Sequence, residues 1–124
     1  MNYRQEFADI LNELAGTIHH HNEKWWTDIH TGEPLVRNKG ETIALIHSEV
    51  SEALEGVRKN LADDKLPHYP MEVVEMADAI IRILDYCAGY GLDIGNALVE
   101  KCAYNITRED HKIENRLKDN GKKI

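Results

Sequence analysis

Long apolar runs are missing from this chain. The best stretch, near Ile80 to Leu84, is interrupted by Arg82, so no membrane-spanning segment is expected. Cysteine is scarce: Cys87 and Cys102 stand apart, without C-x-x-C or zinc-finger spacing. Both sit among apolar residues and read as small buried hydrophobes, and reduced thiols suit a cytoplasmic protein. Only three prolines occur and β-branched runs are few, which favours an all-α fold. Positive charge is also in deficit. The formal net charge of −7 argues against nucleic-acid binding through a basic surface. A small anionic substrate stays compatible if a metal bridges it to the protein. The start of the chain is polar and charged from Asn2 to Glu6, so no signal peptide is expected. No Walker lysine loop, G-x-S-x-G or H-E-x-x-H is present, which leaves the usual NTPase, esterase and zinc-protease readings without support.

What is present is acidic and helical. With 124 residues, 42% hydrophobic and 30% charged, the chain reads as one folded domain, 1–124, small enough for an oligomer to extend its core. A first helix is expected from about Tyr3 to His21, with Phe7, Ile10, Leu11, Leu14 and Ile18 at helical spacing. It ends in His19, His20 and His21, which suit the negative end of the helix dipole better than a shared metal. Residues 22–40 then break the pattern. Of the adjacent Trp25 and Trp26, one ring should point inward, and the other could stack on a nucleobase.

The stretch from Glu41 to Asp85 organises the rest. A second helix, about Glu41 to Asn60, carries an apolar stripe through Ile43, Ile46, Val50, Ala53, Leu54 and Val57, with Glu49 and Glu52 at its edge. A loop with Pro67 precedes Pro70, which suits the first turn of a third helix running to about Ala88. That helix is apolar over half its circumference and is expected to be the most buried. Its remaining arc is Glu75, Asp78, Arg82 and Asp85, where Arg82 could pair with Asp78 or Asp85. Each acidic pair is spaced i, i+3 on one helical face. If the helices pack antiparallel, four carboxylates converge. Two such charges about 4 Å apart cost on the order of 4 kcal/mol at an effective dielectric near 20. A hard divalent cation, Mg²⁺ or Mn²⁺, is the natural neutraliser.

Gly89 and Gly91 should end the third helix, and Asp93 should cap a fourth. There Lys101, Asn105, Arg108 and Lys112 recur on one expected face. Opposite an acidic metal site, such a stripe could hold nucleotide phosphates. The tail from Glu114 to Ile124 is either mobile or closes over a ligand.

With these pieces in order, the chain resembles the MazG-like family of all-α nucleoside triphosphate pyrophosphohydrolases. The resemblance rests on GETIALIHSEVSEALEGVRK, EVVEMADAIIRILD and KCAYNITR. It implies a compact bundle of about four to five helices, assembled as a dimer or a dimer of dimers. It implies cleavage of a (d)NTP to a (d)NMP and pyrophosphate with two or more Mg²⁺ ions. Glu49, Glu52, Glu75 and Asp78 would be the metal ligands, with Lys101, Asn105 and Arg108 on the phosphates. The HSEVSEALE and KxxYNxxR forms also look like the short phage-type branch, whose MazZ members act on (d)GTP. That would put the protein in a host cytoplasm. In the chemistry so implied, Glu49 or Glu52 orients the attacking water as general base. A four-helix di-iron protein wants E-x-x-H, which is absent here. A non-enzymatic helical interaction module, with the acidic stripe as its partner-binding face, is the main alternative.

Overall fold

The structure, a computed structural model, describes residues 4–124; Asn2 and Tyr3, to which two expectations extend, lie outside them. It is all-α, with no strand among the described residues. Its helices are α1 (Gln5–His21), α2 (Lys39–Lys59), α3 (Met71–Gly89), α4 (Ile94–Ile106) and α5 (Ile113–Arg116). Short 3₁₀ turns lie at Glu23–Trp25 and Glu109–His111. No helix among the described residues is long and apolar enough to cross a membrane.

The chain divides into two units: residues 14–92 form one, and the described residues before 14 join residues 93–124 in the other. The centre of the first unit is the α2–α3 hairpin. Asn38 starts α2 by accepting a hydrogen bond from the Glu41 backbone N–H at 3.0 Å. Asn60 ends it in the left-handed region (φ 51), and its N–H caps the Gly56 and Val57 carbonyls. The connecting loop is held by buried Asp63, whose carboxylate accepts from the Lys65 and Leu66 N–H groups at 3.0 and 2.7 Å. Pro70 then precedes the first turn of α3 as its N-cap.

At Gly56, where α2 has no side chain, the start of α3 packs directly against it. A Cβ on Gly56 would lie 2.9 Å from Met71 Cβ and 3.2 Å from the Glu72 backbone nitrogen. Gly56→Val should therefore force α2 and α3 apart. We expect a loss of about 2 kcal/mol, as for other overpacked helix contacts, measured by urea denaturation. Gly56→Ala should lose less, because alanine regains helix propensity.

In the second unit, Asp93 caps α4 by accepting from the Asn96 N–H at 3.0 Å. Asn12 ties that turn to α1: its amide donates to Asp93 at 2.8 Å and its oxygen accepts from the Gly95 N–H at 2.8 Å. Gly95 is buried, and a Cβ there would strike the Ala8 carbonyl.

As expected, α3 has more buried residues than any other described helix, yet on its apolar face Val73, Met76 and Ile80 are 47%, 47% and 53% exposed, and its buried residues include Glu75 and Asp85. Helical periodicity identified an apolar face, but that face stays half-exposed among the described residues. The same holds for Phe7, Ile10 and Leu14 of α1, whose buried positions are instead Ala8 and Ala15. As expected, α3 ends at Gly89, which is pressed against the Trp26 ring, and Gly91 just beyond it takes a left-handed turn (φ 66). One expectation needs correction: α4 stops at Ile106, so Arg108 and Lys112 are not on its face.

Candidate functional site

Glu49 and Glu52 on α2 meet Glu75 on α3. One carboxylate oxygen from each lies within 4.8 Å of the others. Glu49 and Glu75 are buried, each 9% exposed, while Glu52 is exposed. Glu75 Oε2 is buried and has no hydrogen-bond partner among the described residues. A carboxylate in that position resists ionisation. Burial chiefly, then the neighbouring Glu49 and Glu52, push the Glu75 pKa up to about 7. Asp78 stands outside the three-way cluster but feels it. Burial and the Glu49 charge raise its pKa, against a lowering by Arg82.

The i, i+3 spacing on each helix gathers these groups, and the antiparallel register of the hairpin aligns the two pairs. Arg82 does not pair with Asp78 or Asp85. Its Nε donates to Glu49 Oε1 at 2.8 Å, across the helix interface. Arg58 and Lys59 serve Glu55 instead, at 3.3 and 2.8 Å.

Two cavities flank the acidic cluster. One, of about 480 Å³, is lined by residues that include Asn22, Trp25, Arg37, Glu49, Asp78, Arg82 and Asp85. The other, of about 790 Å³, is lined by Glu52, Glu75, Asp78 and the Asp63–Leu66 loop. Asp78 touches both.

The two tryptophans divide as the sequence suggested. Trp25 lines the smaller cavity and is 63% exposed. Trp26 turns inward, where its Nε1–H donates to both oxygens of buried Asp85 at 3.1 Å. His19 Nδ1–H donates to Asp85 Oδ1 at 2.8 Å, since a carboxylate can only accept. Arg37 stacks on the Trp26 ring at 4.7 Å, and Tyr90 meets it edge-on. So His19 belongs to a specific cluster as well as to a helix end, and His20 faces Glu23. Asp85, one turn beyond Arg82 along α3, belongs to this packing cluster and not to the carboxylate group.

The basic residues lie in the other unit and are largely engaged there. Lys101 sits 5.0 Å from the Tyr104 ring centroid. Arg108 makes a two-pronged bond to Asp110, at 3.0 and 2.7 Å, which with Lys122 holds the Asp110 carboxyl well below the usual carboxylate range. Lys112 pairs with Glu109 at 2.6 Å. Asn105 Oδ1 is buried without a partner among the described residues. The tail is folded back on itself, with Arg116 donating to the Lys122 carbonyl at 3.2 Å. Cys87 is buried, which raises its thiol pKa, and Cys102 is half-buried rather than fully enclosed.

Arg37, Asn22 and Asp63 were not singled out as site residues in the sequence. Only Asp63 left a local signal, the D-x-K-L turn in which a carboxylate caps the N–H groups two and three residues on. No family model matches the chain, and neither do any curated protein or solved structure. The geometry therefore defines a class only: an all-α protein with a buried, charge-frustrated carboxylate cluster between two cavities.

Proposed function

We propose that this protein is a metal-dependent nucleoside triphosphate diphosphatase, converting a (d)NTP and water to a (d)NMP and pyrophosphate. The observation that carries the reading is the unpartnered, buried Glu75 Oε2 beside Glu49 and Glu52. A group of carboxylates with one oxygen unsatisfied suits a hard divalent cation better than solvent. Glu49, Glu52, Glu75 and Asp78 would hold Mg²⁺, with Mn²⁺ as a substitute. The bound ions supply a lowered pKa for water and neutralise phosphate charge. Glu52, the exposed carboxylate, is the residue best situated to orient a water entering from solvent.

The cavity beside the cluster supports a nucleotide ligand. Trp25 offers an accessible aromatic face for a base, and Arg37 a cation along the same wall. Together with the resemblance to MazG-like enzymes of the phage-type branch, this makes (d)GTP the first substrate to try. Lys101, Asn105 and Arg108 are the proposed phosphate contacts, which for Arg108 requires release from Asp110.

A homodimer or homotetramer is part of the proposal. No large side chain is fully buried among the described residues, and Val50, Leu54, Val57 and Met76 line an open apolar groove. Covering half-exposed residues of this size contributes roughly 1 kcal/mol each. A second copy of the chain would complete that core.

Thermal melts separate this reading from a non-enzymatic interaction module. Millimolar Mg²⁺ should raise the melting temperature of the free protein, with a larger effect from Mn²⁺. An acidic docking face with no cation site would give identical melts with and without the metal.

A further inference from the structure

We infer that Arg82 is a displaceable counter-ion: it neutralises Glu49 until a cation arrives, then turns to the phosphates of the nucleotide. The inference rests on the metal-site reading above and adds to it a residue with two alternating partners.

The contact itself is lopsided. Arg82 reaches Glu49 through Nε alone, at 2.8 Å, and its two terminal nitrogens make no hydrogen bond among the described residues. A guanidinium built to lock a carboxylate uses its two-pronged fork, as Arg108 does on Asp110. Burial is lopsided too. The Glu49 side chain is 11% exposed and that of Arg82 is 39% exposed. Glu49 cannot leave the site, whereas Arg82 can return to water at little cost.

A divalent cation and a guanidinium compete for the same oxygen. Bringing the cation to Glu49 while Arg82 stays sets two positive centres within a few ångströms of each other. Arg82 cannot substitute for the metal across the whole cluster either, since Glu75 Oε2 remains unpartnered with Arg82 in place. Glu49 and Arg82 also line the same cavity as Trp25 and Arg37. A released Arg82 head group therefore stays in the space assigned to the nucleotide. There its free fork matches phosphate oxygens.

The charged groups around this switch are Glu49 and Glu52 from α2, and Glu75, Asp78 and Asp85 from α3, with Arg37 lining the same cavity. With Arg82 swung away, the cluster stays strongly acidic until the cation is bound. Metal should accordingly bind before nucleotide.

The test is Arg82→Gln, titrated with Mn²⁺ alone by calorimetry and then assayed for nucleotide turnover. Removing a half-exposed competitor should tighten Mn²⁺ roughly fivefold. The same variant should raise KM for the nucleotide about tenfold, because a charge-assisted phosphate contact is gone. Opposite movements of the two affinities are the signature; a merely structural defect weakens both. Arg82→Lys, which keeps a charge beside Glu49, should stay within about twofold of wild-type Mn²⁺ affinity. Unchanged or weaker Mn²⁺ binding by Arg82→Gln would overturn the inference and make the pair a fixed brace for Glu49. If the wild-type protein itself gave no Mn²⁺ isotherm, the metal-site reading would fall, and this inference with it.

Discussion

Glu75→Gln is expected to slow pyrophosphate release by about 10³-fold or more, while making the metal-free protein more stable above neutral pH. Two opposite effects from one atom change follow from the geometry. Glu75 is buried beside two other carboxylates and has an unpartnered oxygen, so its pKa rises from the ordinary 4.5 to about 7. The folded state thus favours the protonated acid. Stability from that preference is fully present below about pH 4.5 and is lost as pH rises through about 7. The lost amount is on the order of 3–4 kcal/mol for a rise from 4.5 to about 7. Glutamine mimics the protonated acid at every pH and escapes the loss.

In chelator, then, the wild-type melting temperature should fall between about pH 5 and pH 8, and that of Glu75→Gln should stay nearly flat across the window. Adding Mg²⁺ at pH 8 should raise the wild-type melt and leave the variant unmoved, because the cation needs the ionised form. A wild-type melt that does not depend on pH across this window would remove the frustration argument. Matching Mg²⁺ responses in both proteins would remove Glu75 from the ligand set.

The second large effect concerns Asp85, which is acidic but has a different task. Asp85→Ala should destabilise the protein by about 3 kcal/mol, since it strands the half-buried Trp26 N–H and the His19 N–H together. For a chain of this size that is a drop of roughly 10 °C in melting temperature. The loss falls on the wall of the smaller cavity, where Arg37 stacks on Trp26, so nucleotide affinity should fall as well. Metal affinity should change little, because Asp85 is not in the carboxylate cluster. His19→Ala should cost less than half as much, leaving the Trp26 bond to Asp85 intact. An Asp85→Ala melt within about two degrees of wild type would contradict the packing role.

Sequence pattern carried the hairpin a long way. The i, i+3 pairs Glu49–Glu52 and Glu75–Asp78 are local features, and antiparallel packing of neighbouring helices was enough to bring three of them together. The partner of Arg82 was not legible. Which α2 residue it meets depends on helix register, and the Asp63 turn between Leu61 and Tyr69 fixes that register through backbone bonds that spacing does not encode. Asp85 shared a helical arc with Asp78, yet seven residues of rise carry it to the level of Trp26 and His19. The basic stripe failed for a simpler reason. It assumed that α4 continues to Lys112, whereas Thr107 ends the helix, its hydroxyl donating to the Tyr104 carbonyl at 2.9 Å. Apolar periodicity marked the faces of α1 and α3 correctly as apolar but could not say what covers them. Val73, Met76 and Ile80 remain half-exposed in the single chain.

The most direct test of the account is product analysis of (d)NTPs incubated with the wild-type protein, in Mg²⁺ and in chelator. Pyrophosphate and a nucleoside monophosphate should form in equal amounts with Mg²⁺, dGTP fastest, and neither product should form in chelator. Absence of pyrophosphate from every nucleotide, with Mg²⁺ or Mn²⁺ present, would contradict the account and leave the acidic face as a surface for binding partners.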